Sequence, residues 1–223
     1  GTGSERLSIG SPQVDSSTVG AWHMEETSGT GAYIKDATAN ANHGTPTGTT
    51  VVDGFYGKGR SFNGSSDYIR TAVTDFQNSD STGTIEAWIK LDTLTNWNTI
   101  FMSGDEATNN FWVQFRTNQT TGNLAIAQQN NGDTVDHIRG GTALVAGNWY
   151  HVAVVSSGTA YTLYVNGVAE SLTVASGSNN GDWFADTSNR DNVVIGLNKR
   201  SDNQDFFDGS IDEVRISNIA RSA

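Results

Sequence analysis

The chain has 223 residues, of which 35% are hydrophobic and only 17% charged, with 25 glycines, two prolines and no cysteine. The lack of cysteine excludes a disulfide framework, thiolate metal sites and cysteine nucleophiles, and a net charge of −11 argues against nucleic acid and anionic membrane surfaces as partners. No stretch approaches the roughly 20 apolar residues of a membrane-spanning helix, and the length suits one large all-β domain, since sandwiches often exceed about 200 residues.

Residues 1–18 alternate little, and Gly1-Thr2-Gly3-Ser4 looks like a cloning remnant, so a linker or edge segment is expected there, ahead of one domain over 19–223. Next comes a loop in which Asp36, Thr38, Asn40 and Asn42 place oxygen donors at every second position before Gly44. Calcium takes six to eight such oxygens at about 2.3–2.6 Å, so the spacing suits a cation. It equally suits an Asx-turn, with the asparagines at positive φ. Period-two alternation then predicts strands over 84–91, 111–116, 123–128, 149–156, 161–165, 192–197 and 210–217. No window keeps helical spacing for three turns. The fourth and fifth of these strands are separated by Ser156–Ala160 and form a predicted hairpin. Asn166-Gly167 then predicts a type I′ turn that pairs 161–165 with the segment from Val168.

On 111–116, Phe111, Val113 and Phe115 alternate with Trp112, Gln114 and Arg116. One set faces the core and the other projects outward. An outward Trp beside an amide and a guanidinium suits a sugar, whose apolar ring face stacks on the indole while planar groups bond its hydroxyls. On the next strand Leu124 and Ile126 point inward, leaving Ala125 and Ala127 as a floor, and His137 and Arg139 add a wall. The run Asn198 to Asp205 is expected to be a solvated rim loop.

Several phrases in order resemble the laminin G-like jelly-roll family of the concanavalin A-like lectin and glucanase superfamily. They are Ala21-Trp22-His23-Met24-Glu25-Glu26, Lys35 to Thr45, Phe62-Asn63-Gly64-Ser65-Ser66-Asp67-Tyr68-Ile69, Ala87-Trp88-Ile89-Lys90, Gly147 to Ala153, Leu163 to Gly167, and Phe207 to Ile216. Many relatives carry Ser-Gly-Asn-Gly where this chain has Thr38-Ala39-Asn40-Ala41. The resemblance implies an all-β fold of two antiparallel sheets, a jelly-roll sandwich with adjacent terminal strands, in a ligand-binding module of a secreted or cell-surface protein. It also implies that Asp212 reaches the 36–44 loop, giving a structural calcium (Ca2+) site of Asp36, Asn40, Asn42, His43 and Asp212. Asp212 has an alternative partner in Arg215 or Arg221. Trp22, Trp88 and Trp149 fall in family phrases and are expected in the core. Trp97, Trp112 and Trp183 lie outside them, and each either packs over a loop or meets a ligand.

Catalysis is the rival class, because the superfamily includes glucanases. A retaining glycosidase needs two carboxyls about 5–5.5 Å apart, and the Glu-x-Asp-x-Glu run of laminarinase-like enzymes does not occur here. Glu86 stands alone on its strand, and His23, His43, His137 and His151 are scattered. The expectation is a non-catalytic module that binds a glycan. A structural spacer of a larger adhesion protein and a polysaccharide-degrading enzyme are the alternatives.

Overall fold

The structure, a computed structural model, describes residues 12–222; the first eleven residues of the expected linker lie outside the described residues. In chain order the strands are β1 (Thr18–Trp22), β2 (Thr45–Thr47), β3 (Thr50–Asp53), β4 (Lys58–Asn63), β5 (Tyr68–Thr71), β6 (Gly83–Leu91), β7 (Asn98–Gly104), β8 (Trp112–Thr117) and β9 (Leu124–Gln129). There follow β10 (Asp136–Arg139), β11 (Trp149–Ser156), β12 (Tyr161–Val165), β13 (Val168–Ala169), β14 (Thr173–Ser176), β15 (Val193–Ile195), β16 (Asn198–Lys199), β17 (Asn203–Gln204) and β18 (Asp208–Ser217). A single 3-10 turn, Phe184–Asp186, is the only helical element among the described residues.

These strands form two antiparallel sheets and a small hairpin. The first sheet runs β13-β12-β11-β6-β18-β4-β3, with β1 also on β18; the second runs β14-β10-β9-β8-β7-β15-β5-β2; β16 pairs with β17. The expected two-sheet sandwich is therefore present. Alternation sets its core: Ile85, Ala87, Ile89 and Leu91 of β6 point inward, as do Val113 and Phe115 of β8 and Leu124 and Ile126 of β9. Each large apolar side chain so buried stabilises the sandwich by about 1.5–3 kcal/mol.

The predicted hairpins form: β11 pairs β12 from Val152↔Val165 to Ser156↔Tyr161, and Asn166 (φ 50°) with Gly167 (φ 76°) turns β12 into β13. Terminal adjacency also holds. β1 pairs with β18 through Trp22↔Val214, and Arg221 holds Asp15 at 2.8 Å.

The tryptophans sort differently from expectation. Trp22 is core, but so is Trp183, fully buried against Phe184. Trp88 and Trp149 are only half-buried. Trp88 is on the outer face of β6, between Asp212 and His151 in register, and stacks under Phe55 at 3.4 Å between ring centroids. Alternation from the inward Ala87 and Ile89 forces that orientation.

Candidate functional site

Strand register puts all five expected ligand-binding residues on the outer face of the second sheet. Gln114 of β8 faces Ala127 of β9, which faces His137 of β10. One step along, Arg116 faces Ala125, which faces Arg139, and Trp112 lies beyond Gln114 on the same side.

Trp112 and Gln114, however, do not meet solvent. Trp112 is 4% exposed, packs with Met102 and Ala127, and donates its indole N–H to the Asn109 carbonyl at 3.0 Å and Gln129 Oε1 at 3.1 Å. The Arg200 guanidinium sits 4.9 Å above its ring. Gln114 is fully buried and donates to Thr99 Oγ1 at 2.7 Å and Asp205 Oδ2 at 3.2 Å. The cover is the β16–β17 hairpin, anchored by the Lys199 N–H on Met102 Sδ and by Asn198 Nδ2 on Asp205 at 3.0 Å. The polar run from Asn198 to Asp205 is thus a lid over part of the sheet rather than a free rim loop. Asp205 accepts from Gln114 on the sheet, while the amides of Asn198 and Gln204 donate within the run, to Asp205 and Asp202.

The uncovered part centres on Trp97. Its ring carries the Arg116 guanidinium at 4.2 Å on one side and lies 5.9 Å from the His137 ring on another. Arg116 also donates to Gln114 Oε1 at 2.9 Å and lies 3.6 Å from Asp205. Burial lowers the Arg116 pKa to about 10. Burial, followed by the charges of Arg116 and Arg139, pushes His137 down to about 4, so its imidazole is neutral near pH 7. The Nε atoms of Arg116 and Arg139 and Nε2 of His137 are buried without a hydrogen-bond partner. Ala125 and Ala127 are 0% and 1% exposed, because these long side chains close over them. The outermost layer of this face is therefore Trp97, Arg116, His137 and Arg139.

Beside Trp97 opens a cavity of about 220 Å³ lined by Gly64, Asn96, Trp97, Gln119, Asp205 and Phe206. It has two aromatic walls and three groups able to bond hydroxyls. A larger hollow of about 420 Å³ at the β2–β5 edge includes Tyr68, His43 and Arg70, but Arg70 is committed to Glu106 at 2.5 Å. Trp97 was legible as an unassigned tryptophan; Phe206, Asn96 and Gln119 carry no sequence signal that singles them out.

The expected calcium ligands are not brought together. Both oxygens of Asp36 are occupied: Oδ1 accepts from the N–H groups of Ala21 and Thr38, and Oδ2 from Thr38 Oγ1 and the Asn42 N–H, at 2.9–3.1 Å. Asn40 Nδ2 donates to the Val19 carbonyl, the Asn42 carbonyl accepts from the Trp22 indole, and His43 Nδ1 accepts from the Asp36 N–H. This is the Asx-turn alternative at Asp36, although the positive φ expected of the asparagines falls on Ala41 instead. Asp36 flanks Trp22 on one edge of β1 while β18 lies on the other, so Asp36 and β18 stand two strand spacings, about 10 Å, apart. One ion with bonds of about 2.5 Å does not span that gap.

Asp212 sits elsewhere, at a bulge in β18 where Glu213 takes φ 52°. Asp212 Oδ2 accepts from the Tyr56 N–H at 2.9 Å, and Glu213 Oε2 lies 2.5 Å from His23 Nδ1. Asp212 Oδ1 and Glu213 Oε1 are buried with no hydrogen-bond partner, and burial pushes the Asp212 carboxyl up to about 7. A Cβ at Gly54 would collide with the Asp212 carboxylate. Two orphaned carboxylate oxygens are the donors a hard cation wants, although no three metal-binding side chains converge among the described residues.

Residues 63–223 match a laminin G-type family described as the concanavalin A-like lectin/glucanases superfamily. Among solved structures the chain is similar to domain 4 of AbnA, an extracellular GH43 arabinanase of Geobacillus stearothermophilus, in complex with arabinotriose. The identity is 25%, with 92% of this chain and 94% of that one covered and a TM-score of 0.68. The CBM40 of the Ruminococcus gnavus IT-sialidase, bound to α2,3 sialyllactose, is 18% identical over 63% of this chain and 77% of its own, with a TM-score of 0.55. Trypanosoma rangeli sialidase matches 96% of this chain but 34% of its own, at 16% identity and a TM-score of 0.66. Among curated protein sequences none matches.

Proposed function

The chain belongs to the concanavalin A-like lectin/glucanase superfamily, and from that premise we propose that it is a non-catalytic module that binds a glycan at Trp97. The observation that carries this is the cavity of about 220 Å³ between Trp97 and Phe206. Aromatic walls present flat apolar faces to a sugar ring, while Asn96, Gln119 and Asp205 offer both donors and acceptors to its hydroxyls. The similarity to an arabinanase domain solved with arabinotriose supports the same ligand class.

Binding rather than hydrolysis is favoured by the count of carboxyls. Asp205 is the one carboxylate lining the cavity, whereas the usual glycosidase mechanisms use two. Asp205 is itself engaged by Asn198, Gln114 and Arg116, which fixes it as a positioned acceptor. The proposed setting is a secreted or cell-surface protein with further domains. No helix is long and apolar enough to cross a membrane among the described residues.

We also propose a structural calcium ion, held at Asp212 and Glu213 and completed by backbone carbonyls or water, in place of the Asp36 loop. There it would neutralise carboxylates crowded at the β18 bulge. Isothermal titration with arabinotriose and a panel of neutral and acidic oligosaccharides tests the glycan reading: binding that Trp97→Ala removes supports it, and binding by none of the panel overturns it.

A further inference from the structure

Charge on the Trp97 face runs against the rest of the molecule. The chain carries −11 overall, and one end of the sandwich holds a hollow of about 430 Å³ lined by Asp133, Asp136, Asp182 and Asp186. Around Trp97 the sign reverses. Arg116 stacks on its ring, Arg139 stands across Ala125 from Arg116, and Arg200 covers the neighbouring Trp112. The opposing carboxylates are Asp205, which acts on Arg116 and Arg200, and Asp202, which acts on Arg200. Three guanidiniums against two carboxylates leave one positive charge.

That charge is best assigned to Arg139. Arg116 has Asp205 and Gln114, and Arg200 has the Trp112 ring, but the Arg139 guanidinium makes no hydrogen bond or ion pair among the described residues, and its Nε is buried. Leaving a half-buried cation unpaired costs free energy, and the planar fork of arginine matches an oxyanion in a way a hydroxyl does not. Its position fits such a use. Arg139 and His137 share one face of β10, His137 touches Trp97, and Trp97 walls the cavity. Arg139 and the Arg116 that stacks on Trp97 therefore stand two strand spacings, about 10 Å, apart on one face, within the span of an oligosaccharide bound against Trp97.

We infer that the site takes an acidic glycan, in which a sugar unit lies against Trp97 and its carboxylate or sulfate group is gripped by Arg139. This rests on the glycan reading above and adds the class of sugar. His137, kept neutral by burial first and by Arg116 and Arg139 second, adds no positive charge of its own to this face. A single oxyanion is also compatible with the overall negative field, which repels polyanions such as nucleic acid.

The test uses matched pairs in isothermal titration calorimetry: an oligogalacturonate against its methyl ester of equal length, and a sulfated galactan oligosaccharide against its desulfated form. The acidic member of one pair is expected to bind about 10- to 100-fold more tightly than its neutral partner, the range a charge-assisted hydrogen bond supplies. The responding pair identifies the oxyanion. Arg139→Gln should erase the preference without lowering the melting midpoint, since it removes an unpaired half-buried cation, and Arg139→Lys should keep part of it. Equal binding of acidic and neutral members, or a preference that survives Arg139→Gln, overturns the inference while leaving Trp97 as a sugar site. Silence from all four oligosaccharides and from arabinotriose overturns the inference together with the glycan reading.

Discussion

Trp97→Ala and Trp112→Ala should have opposite consequences, although both residues stand on the outer side of the same sheet. Trp112 is 4% exposed, packs on Met102 and Ala127, and donates two hydrogen bonds. Its truncation opens a cavity under the β16–β17 hairpin, leaves Gln129 and Asn109 short of a donor, and removes the ring beneath Arg200. Large buried aromatics cost about 3–5 kcal/mol on truncation to alanine. For a domain of this size each kcal/mol moves the midpoint by roughly 2–4 °C, so a fall of roughly 6–20 °C is expected. Trp97 is half-buried, and its indole N–H makes no hydrogen bond among the described residues. Removing it forfeits mainly the contact with Arg116, about 1 kcal/mol or less at a partly exposed site. In binding, however, a central aromatic anchor is worth about 2 kcal/mol or more, about 30-fold in Kd. Calorimetric melting and glycan titration of the two variants provide the assay. If Trp112→Ala melts like the parent and loses binding while Trp97→Ala binds normally, the hairpin does not cover Trp112 as described, and the site belongs to Trp112.

Asp36→Ala should lower the midpoint whether or not calcium is present, since it strips four accepted hydrogen bonds from its loop; a loss confined to calcium-containing buffer would return Asp36 to the metal. Asp212→Asn should instead abolish the midpoint difference between EDTA and millimolar calcium. An ion binding only the folded state adds about 2.7 kcal/mol at a hundredfold excess over Kd, so equal melting of the parent in the two buffers would refute the ion. His137 titrates near 4 when folded and about 6.5 when unfolded, so the unfolded chain takes up the proton first. The stability linked to this group is complete above about pH 6.5 and lost as pH falls toward 4, and His137→Gln should flatten that part of the melting profile; an unchanged slope would mean that the burial and the flanking Arg116 and Arg139 do not act on it. Ala41 holds φ 52°, a region costly for a residue with a Cβ, so Ala41→Gly should raise the midpoint by a few degrees, and a fall would show that chain entropy outweighs the strain.

Alternation was enough to read the sandwich. The inward rows of β6, β8 and β9 follow directly from period-two patterning, and Asn166-Gly167 specified its own hairpin. Alternation also placed Trp112, Gln114, Arg116, His137 and Arg139 on one face correctly. It says which way a side chain leaves its sheet, not what lies on top of it. The β16–β17 hairpin reaches back over Trp112 through contacts of long range in sequence, such as Gln114 with Asp205, and no local pattern announces them. The same limit applied to Trp88, where alternation against Ala87 and Ile89 pointed outward while its place in a family phrase suggested core. In the Asp36 loop, donor spacing alone could not separate a cation site from an Asx-turn. The outcome depends on which backbone N–H groups, among them that of Ala21 fifteen residues away, fold back onto the carboxylate.

The six tryptophans give six indole N–H resonances, and these allow the most direct test of where a sugar binds. In a titration followed by 1H–15N correlation spectra with assigned indoles, Trp97 should shift along a saturable curve whose Kd equals the calorimetric value. Trp22 and Trp183, buried in the core, should stay in place. A saturable shift confined to Trp88 or Trp149 on the opposite sheet, with Trp97 unmoved, would place the ligand on the wrong face for this account and contradict it.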